Sequence, residues 1–187
     1  MIQGSKVTLR MFEEGDLEPY VDLVNNLSNM SKYWPPSLQT KASLAKEFAE
    51  NGFWKSDYRL LLVMDKEGRI IGEVDSFKSS PNIKGPEVGF RLFKKEDMKH
   101  GFMTEALQLF SAYLFQSDSV MLRLTLLIHS ENVASLKVAQ KCGYKREGTL
   151  RDAWVDYATG IPHPYEILSL LRRESPSLEK LLQTNKK

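Results

Sequence analysis

At 187 residues, 42% of them hydrophobic and 27% charged, the chain has the composition of one soluble globular domain. A formal charge of +2 argues against a nucleic acid as partner, and no apolar run is long enough to span a bilayer, so no membrane is expected either. The single cysteine, Cys142, excludes an internal disulfide framework and fits a reducing cytoplasm; with three scattered histidines it offers no metal-ligand spacing.

The first six residues lack the apolar core of a signal peptide. Residues 7–11 alternate and predict a strand. Glu13, Glu14, Gly15 and Asp16 form a turn and cap, and Leu17, Tyr20, Val21 and Val24 then mark one helix face. Residues 25–30 are polar, a loop or short helix. Tyr33 and Trp34 stand before two prolines, which break helix. The spacing of Leu44, Phe48 and Phe53 predicts a second helix over 43–53. Residues 59–64 predict a strand, Asp65 to Gly68 a hairpin turn and 69–77 the return strand. A loop at 79–85, punctuated by Pro81 and Gly85, leads to a further strand over 87–93.

Residues 98–115 organise the rest of the chain. The stretch begins as a basic loop, turns at Gly101 and continues as an amphipathic helix buried through Met103, Ala106, Leu107, Phe110 and Leu114. A strand feeding a loop and then a helix N-terminus presents free backbone N–H groups and the positive end of a dipole, which suit a phosphate or pyrophosphate. Gly101 lets the backbone approach such a ligand, and Lys94, Lys95, Lys99 and His100 surround it with positive charge. The plainer alternative is a helix cap with solvated lysines.

Residues 121–128 are apolar and rich in strand formers, a central strand parallel to its predecessor and the second strand of a βαβ unit. From residue 130 another helix is expected, buried through Val133, Leu136, Val138 and Ala139 and stopped at Gly143. Residues 145–154 and 165–171 predict two closing antiparallel strands. The polar end, 175–187, is expected to fray. The expectation is one domain of the α/β class: a mixed, mostly antiparallel sheet with a parallel splayed pair and flanking helices, its core over 5–173.

This order of elements resembles that of the GNAT acyl-CoA N-acyltransferases, and within them the RimJ/RimL branch of ribosomal-protein N-terminal-alanine acetyltransferases and their small-molecule relatives. Three stretches carry the resemblance. Gly101-Phe-Met-Thr-Glu-Ala106 is similar to the family's pyrophosphate-binding turn. Glu131-Asn-Val-Ala-Ser-Leu-Lys-Val-Ala-Gln-Lys-Cys-Gly-Tyr144 is similar to the branch's pattern of Asn, two residues, Ser, then a helix ending Lys-x-Gly-aromatic. Lys145-Arg-Glu-Gly-Thr-Leu-Arg151 is similar to the strand that follows. The departures are Met98 where the family turn begins with Arg or Gln, Met103 where it has a small residue, Ala139 where many members carry a tyrosine acid, and Trp154 where some ribosomal enzymes of the branch carry a glutamate.

The resemblance implies an N-acetyltransferase, monomer or homodimer, that uses acetyl-CoA and no metal. A primary amine, either a protein N-terminal α-amine or a small-molecule amine such as an antibiotic or aminoacyl-nucleotide, would attack the thioester directly in a ternary complex. The implied cofactor residues are Phe90, Arg91 and Leu92 along the strand, Lys99, His100, Gly101, Phe102, Met103 and Thr104 at the turn, and Asn132, Ser135 and Lys141 on the later helix. A backbone N–H near 90–92 would polarise the thioester carbonyl. Ser135 is the implied acid. The base is Glu87, whose spacing to Gly101 is similar to that of the histone acetyltransferase base, or Asp75, or a water. Asp75, Trp34 and Trp154 are the acceptor-site candidates and Trp54 a weaker one, while Phe53, like Phe48, is at helical spacing and expected in the core; aromatic walls suit a planar group. The departures favour an alternative, a non-catalytic acyl-CoA-binding sensor on the same fold.

Overall fold

Among the described residues, eight strands join one sheet in the order β1-β2-β3-β4-β5-β6-β8-β7. They are β1 (Ile2–Gln3), β2 (Thr8–Arg10), β3 (Tyr58–Met64), β4 (Ile70–Phe77), β5 (Glu87–Leu92), β6 (Arg123–His129), β7 (Lys145–Val155) and β8 (Pro162–Leu171). Five α-helices flank it: α1 (Leu17–Val24), α2 (Lys41–Asn51), α3 (Phe102–Ser117), α4 (Val133–Lys141) and α5 (Leu178–Thr184). The computed structural model describes residues 1–29, 31–33, 38–80, 82–156 and 159–184. Trp34, an acceptor-site candidate, lies outside the described residues.

Every neighbouring pair of strands is antiparallel except β5 and β6, which are parallel and in register at a single position, Glu87 opposite Thr125. Gly85 permits the close approach there, since a Cβ on it would lie 1.9 Å from the Arg123 carbonyl oxygen. Towards their C-terminal ends the two strands share no further pairing. The expected splayed pair is therefore present, and it opens at the end from which α3 and α4 depart.

Alternation along the strands builds two cores. On one face Leu61, Val63, Val74, Leu124, Leu126 and Leu168 meet Ala106, Leu107, Phe110 and Leu114 of α3. On the other, Leu60 and Leu62 meet Leu17 and Tyr20 of α1 and Leu44 of α2. Several expectations are corrected. The helix expected at 43–53 starts earlier, because the Thr40 hydroxyl accepts the Ser43 N–H, and ends at Gly52 in the left-handed region. Phe53 follows that helix instead of closing it, with φ +57, and is buried among Phe12 and Phe48 in the core its spacing predicts. Val133, expected to be buried, is 55% exposed at the first position of α4. The tail does not fray throughout: α5 lays Leu178, Leu181 and Leu182 against the α3 core.

Candidate active site

The chain leaves β5, makes one 3-10 turn at Lys95–Asp97, and enters α3 through two left-handed residues, Lys99 at φ +68 and Gly101 at φ +83. Among the described residues no side chain caps α3. Its first intrahelical acceptor is the Gly101 carbonyl, which takes the Glu105 N–H at 3.1 Å. The amides of Phe102, Met103 and Thr104 are thus the open donors of a helix N-terminus. Glu105 stands in the same turn, but its carboxylate accepts the main-chain N–H groups of Ser5 (2.9 Å), Lys6 (2.7 Å) and Val7 (2.9 Å). Against the upward push of burial, these bonds hold its carboxyl below the ordinary range.

Lys6, which the sequence reading missed, donates to the His100 carbonyl at 2.8 Å, and a Cβ on Gly101 would lie 2.9 Å from its Nζ. Lys6, Gly101, Thr104, Gln108 and Lys141 line a cavity of about 280 Å³ beside the turn. Open amides, a glycine without a Cβ and two lysines form a donor set that fits a diphosphate. Of the other expected turn residues, Met103 is buried in the core and offers its N–H alone, while the His100 ring stacks on Phe102 at 5.4 Å. Phe90 and Leu92 pack toward α3, so only their backbone can serve a ligand between the strands. The Arg91 side chain points to the opposite face and pairs with Glu73 at 2.7 Å.

That opposite face carries the polar floor of the splay. Tyr20 donates its hydroxyl proton to Glu73 at 2.6 Å. Asp75 lies two residues along β4, opposite Gly89, where a Cβ would stand 2.1 Å from Asp75 Oδ1. Only a glycine leaves that carboxyl its place. Burial, then the Glu73 charge, push the Asp75 carboxyl up to about 7, with Arg91 opposing. Burial also raises Glu87, against a hydrogen bond from Ser79. Thr125, the register partner of Glu87, keeps a buried hydroxyl with no hydrogen-bond partner among the described residues.

At the C-terminal end of β6 the chain turns into α4. The Asn132 side chain caps the helix by accepting the Ser135 N–H at 3.2 Å. The Ser135 hydroxyl makes no hydrogen bond among the described residues, so it is not turned back on its own helix. Beside this turn stands a ring cluster that the sequence reading missed except for Trp154. Around His129 lie Tyr33 (4.7 Å), His163 (4.8 Å), Trp154 (5.5 Å) and Tyr165 (6.0 Å between centroids). Trp154 reaches it through an irregularity in β7: between the pairs Leu150–Tyr165 and Trp154–His163, β7 spends two more residues than β8, with Asp152 at φ +50. Trp54 is corrected: its ring meets Tyr113 of α3, on the far face of the sheet. Asp152 is exposed. The signal for Glu73 was available as a second acid two residues from Asp75, hence on one strand face. The histidines, distant in sequence, gave none.

A larger cavity, about 440 Å³, lies at the other end of the sheet, among Asp57, Arg59, Lys78, Lys84 and Asp118. It holds none of these groups and neither helix N-terminus, so volume does not mark the reaction site here.

The chain resembles several solved structures. A spermidine N-acetyltransferase from Vibrio cholerae, in complex with CoA and spermine, is 22% identical over 92% of this chain and 99% of its own, with a TM-score of 0.76. A GNAT-family acetyltransferase from Bacillus anthracis matches at 22% identity over 92% and 99%, with a TM-score of 0.75. A dodecameric form of the Vibrio cholerae enzyme matches at 21% identity over 90% and 95%, with a TM-score of 0.71. No protein of curated function matches the sequence. The Acetyltransferase (GNAT) domain family matches residues 6–145, most of the chain. By that family match over most of its length, the chain belongs to the GNAT acetyltransferase family and is an N-acetyltransferase.

Proposed function

We propose that the protein transfers the acetyl group of acetyl-CoA to a primary amine by direct attack in a ternary complex. The observation that carries this reading is the uncapped start of α3 beside the point where β5 and β6 part. Main-chain amides of Phe102, Met103 and Thr104, with Lys6 and Lys141, hold the diphosphate, and the exposed backbone edge of β5 near 90–92 pairs with the pantetheine arm. When bound, acetyl-CoA supplies the acetyl group as a thioester.

The chain's own residues do the proton work. Asp75, lifted toward neutrality by burial, takes a proton from the bound ammonium, directly or through a water, so that the neutral amine attacks, and Glu87 stands two residues from Gly89 on the same face as the weaker alternative. Ser135, with a free hydroxyl in the first turn of α4, protonates the departing thiolate. The acceptor lies on the α1 side of the sheet between the carboxyl floor and the Trp154–His163 wall. The Asn132 to Gly143 stretch supports a RimJ/RimL-like member. The Vibrio cholerae neighbour acts on spermidine, which makes polyamines one acceptor class to try. The ring wall favours an amine carrying a planar group over a linear polyamine.

The experiment is a thiol-release assay with acetyl-CoA against aromatic amines, aminoacyl-nucleotide mimics, N-terminal ribosomal peptides and polyamines. Turnover that collapses in Ser135→Ala while acetyl-CoA affinity is kept supports the reading. Binding with no turnover on the whole panel would replace it with an acyl-CoA sensor.

A further inference from the structure

The turn between β6 and α4 is held by the side chain of His129. His129 is 4% exposed. Its Nδ1 accepts the Glu131 N–H at 3.1 Å, and its carbonyl accepts the Asn132 N–H at 2.8 Å. Two of the amides just ahead of α4 therefore hang on a single residue. The same turn is fixed from outside by Ser130, which donates its N–H and hydroxyl to the Pro164 carbonyl, and by Tyr33, which donates its hydroxyl to the Glu131 carbonyl at 2.9 Å. From this turn Asn132 caps the helix through Ser135 N–H, so the backbone that carries the Ser135 hydroxyl is anchored here.

We propose that His129 is a positioning residue for Ser135: its unprotonated Nδ1 holds the Glu131 amide and so fixes the turn that aims the serine hydroxyl. The proposal rests on the reading of Ser135 as the acid. Accepting at Nδ1 requires the neutral ring with its proton on Nε2. Adding a proton to Nδ1 puts two N–H donors face to face and breaks the hold. The groups that face the ring are Tyr33 and Lys32 from the loop before α2, Glu131 on the turn, Trp154 of β7, and His163 and Tyr165 of β8. Burial and His163, then Lys32, keep the ring neutral to lower pH than an ordinary histidine, and Glu131 opposes them. The arrangement thus protects the accepting form across neutral pH and releases it in acid.

Two measurements test this. In the unliganded wild-type protein, nitrogen-15 NMR is expected to show His129 Nδ1 unprotonated at neutral pH, and the Glu131 amide is expected to shift along the same titration curve as the His129 ring. In turnover, His129→Asn is expected to keep kcat within about twofold near pH 8, because an asparagine oxygen accepts the N–H two residues on. Its log kcat profile in acid should be one proton shallower than wild type. His129→Leu should lose about tenfold to a hundredfold near pH 8, with the gap to wild type closing in acid where the wild-type ring is protonated, and should add less than about twofold when Ser135 is already alanine. A Glu131 amide that ignores the His129 titration, a wild-type acid limb in His129→Asn, or full additivity of His129→Leu with Ser135→Ala would each overturn the proposal. Unchanged kcat in Ser135→Ala would instead sink the serine reading, which the NMR arm does not depend on.

Discussion

Replacing Asp75 with asparagine should lower activity and raise stability together. The carboxyl is raised from an ordinary 3.8 to about 7, by burial first and by Glu73 second. At about 1.4 kcal/mol per pH unit, the ionised form is disfavoured in the fold by up to roughly 4 kcal/mol. Asp75 keeps part of its surface in water, and screening there leaves about 2 kcal/mol. The sign follows from the direction of the shift. A carboxyl whose folded pKa lies above its unfolded one costs nothing below the unfolded value, and the full cost is in place above the folded value. The stabilisation of Asp75→Asn over wild type should therefore be absent near pH 4, grow through pH 5 and 6, and level above about 7. At this chain length it should reach about 4–8 °C in Tm. At saturating substrates, wild-type kcat should rise about tenfold per pH unit just below 7, more steeply in the more acid range where His129 also titrates, and flatten above about 7. The variant should lose roughly a hundredfold or more in kcat with unchanged acetyl-CoA affinity. Scanning calorimetry across pH, alongside thiol release, reads both. An asparagine variant with wild-type kcat, or with a lowered Tm at pH 8, would refute the reasoning.

Other perturbations separate the site's parts. Glu73→Gln removes the like charge beside Asp75, so the acid limb of kcat should move to lower pH; it also strips a partner from Arg91 and Tyr20 and should cost about 3 kcal/mol in denaturant unfolding. Gly101→Val forces a β-branched residue to φ +83 and brings its Cβ near Lys6, so acetyl-CoA affinity by calorimetry should fall at least about tenfold while the fold loses only about 1–2 kcal/mol. Phe110→Ala opens a cavity at a fully buried position of α3, and urea unfolding should report a loss of about 3–5 kcal/mol.

The parts of this molecule legible in its sequence were those with local periodicity. The α3 face, the βαβ unit and the hairpin of β3 and β4 follow from spacing and turn residues, and Gly101 follows from its place between a strand and a helix. Hydrophobic pattern failed where stabilisation is not local. The polar-looking tail forms α5 because Leu178, Leu181 and Leu182 find the α3 surface. Phe53 reads as a helical face residue but is buried from a left-handed position after Gly52. In the site, the turn and Asn132–Ser135 were legible as motifs. Glu73 with Tyr20 and Arg91, the Lys6 contact, and His129 beside His163 were not, because each joins residues far apart in sequence through the sheet.

The central claim is that main-chain amides at the start of α3 grip the cofactor's diphosphate while the parted strands take its arm. Amide NMR of the nitrogen-15-labelled protein titrated with CoA reads this directly. The account expects the largest shifts at Lys99 to Thr104, with a second set at Gly89 to Leu92. Shifts confined to the cavity lined by Asp57, Lys78 and Asp118, or none at saturating CoA, would contradict it.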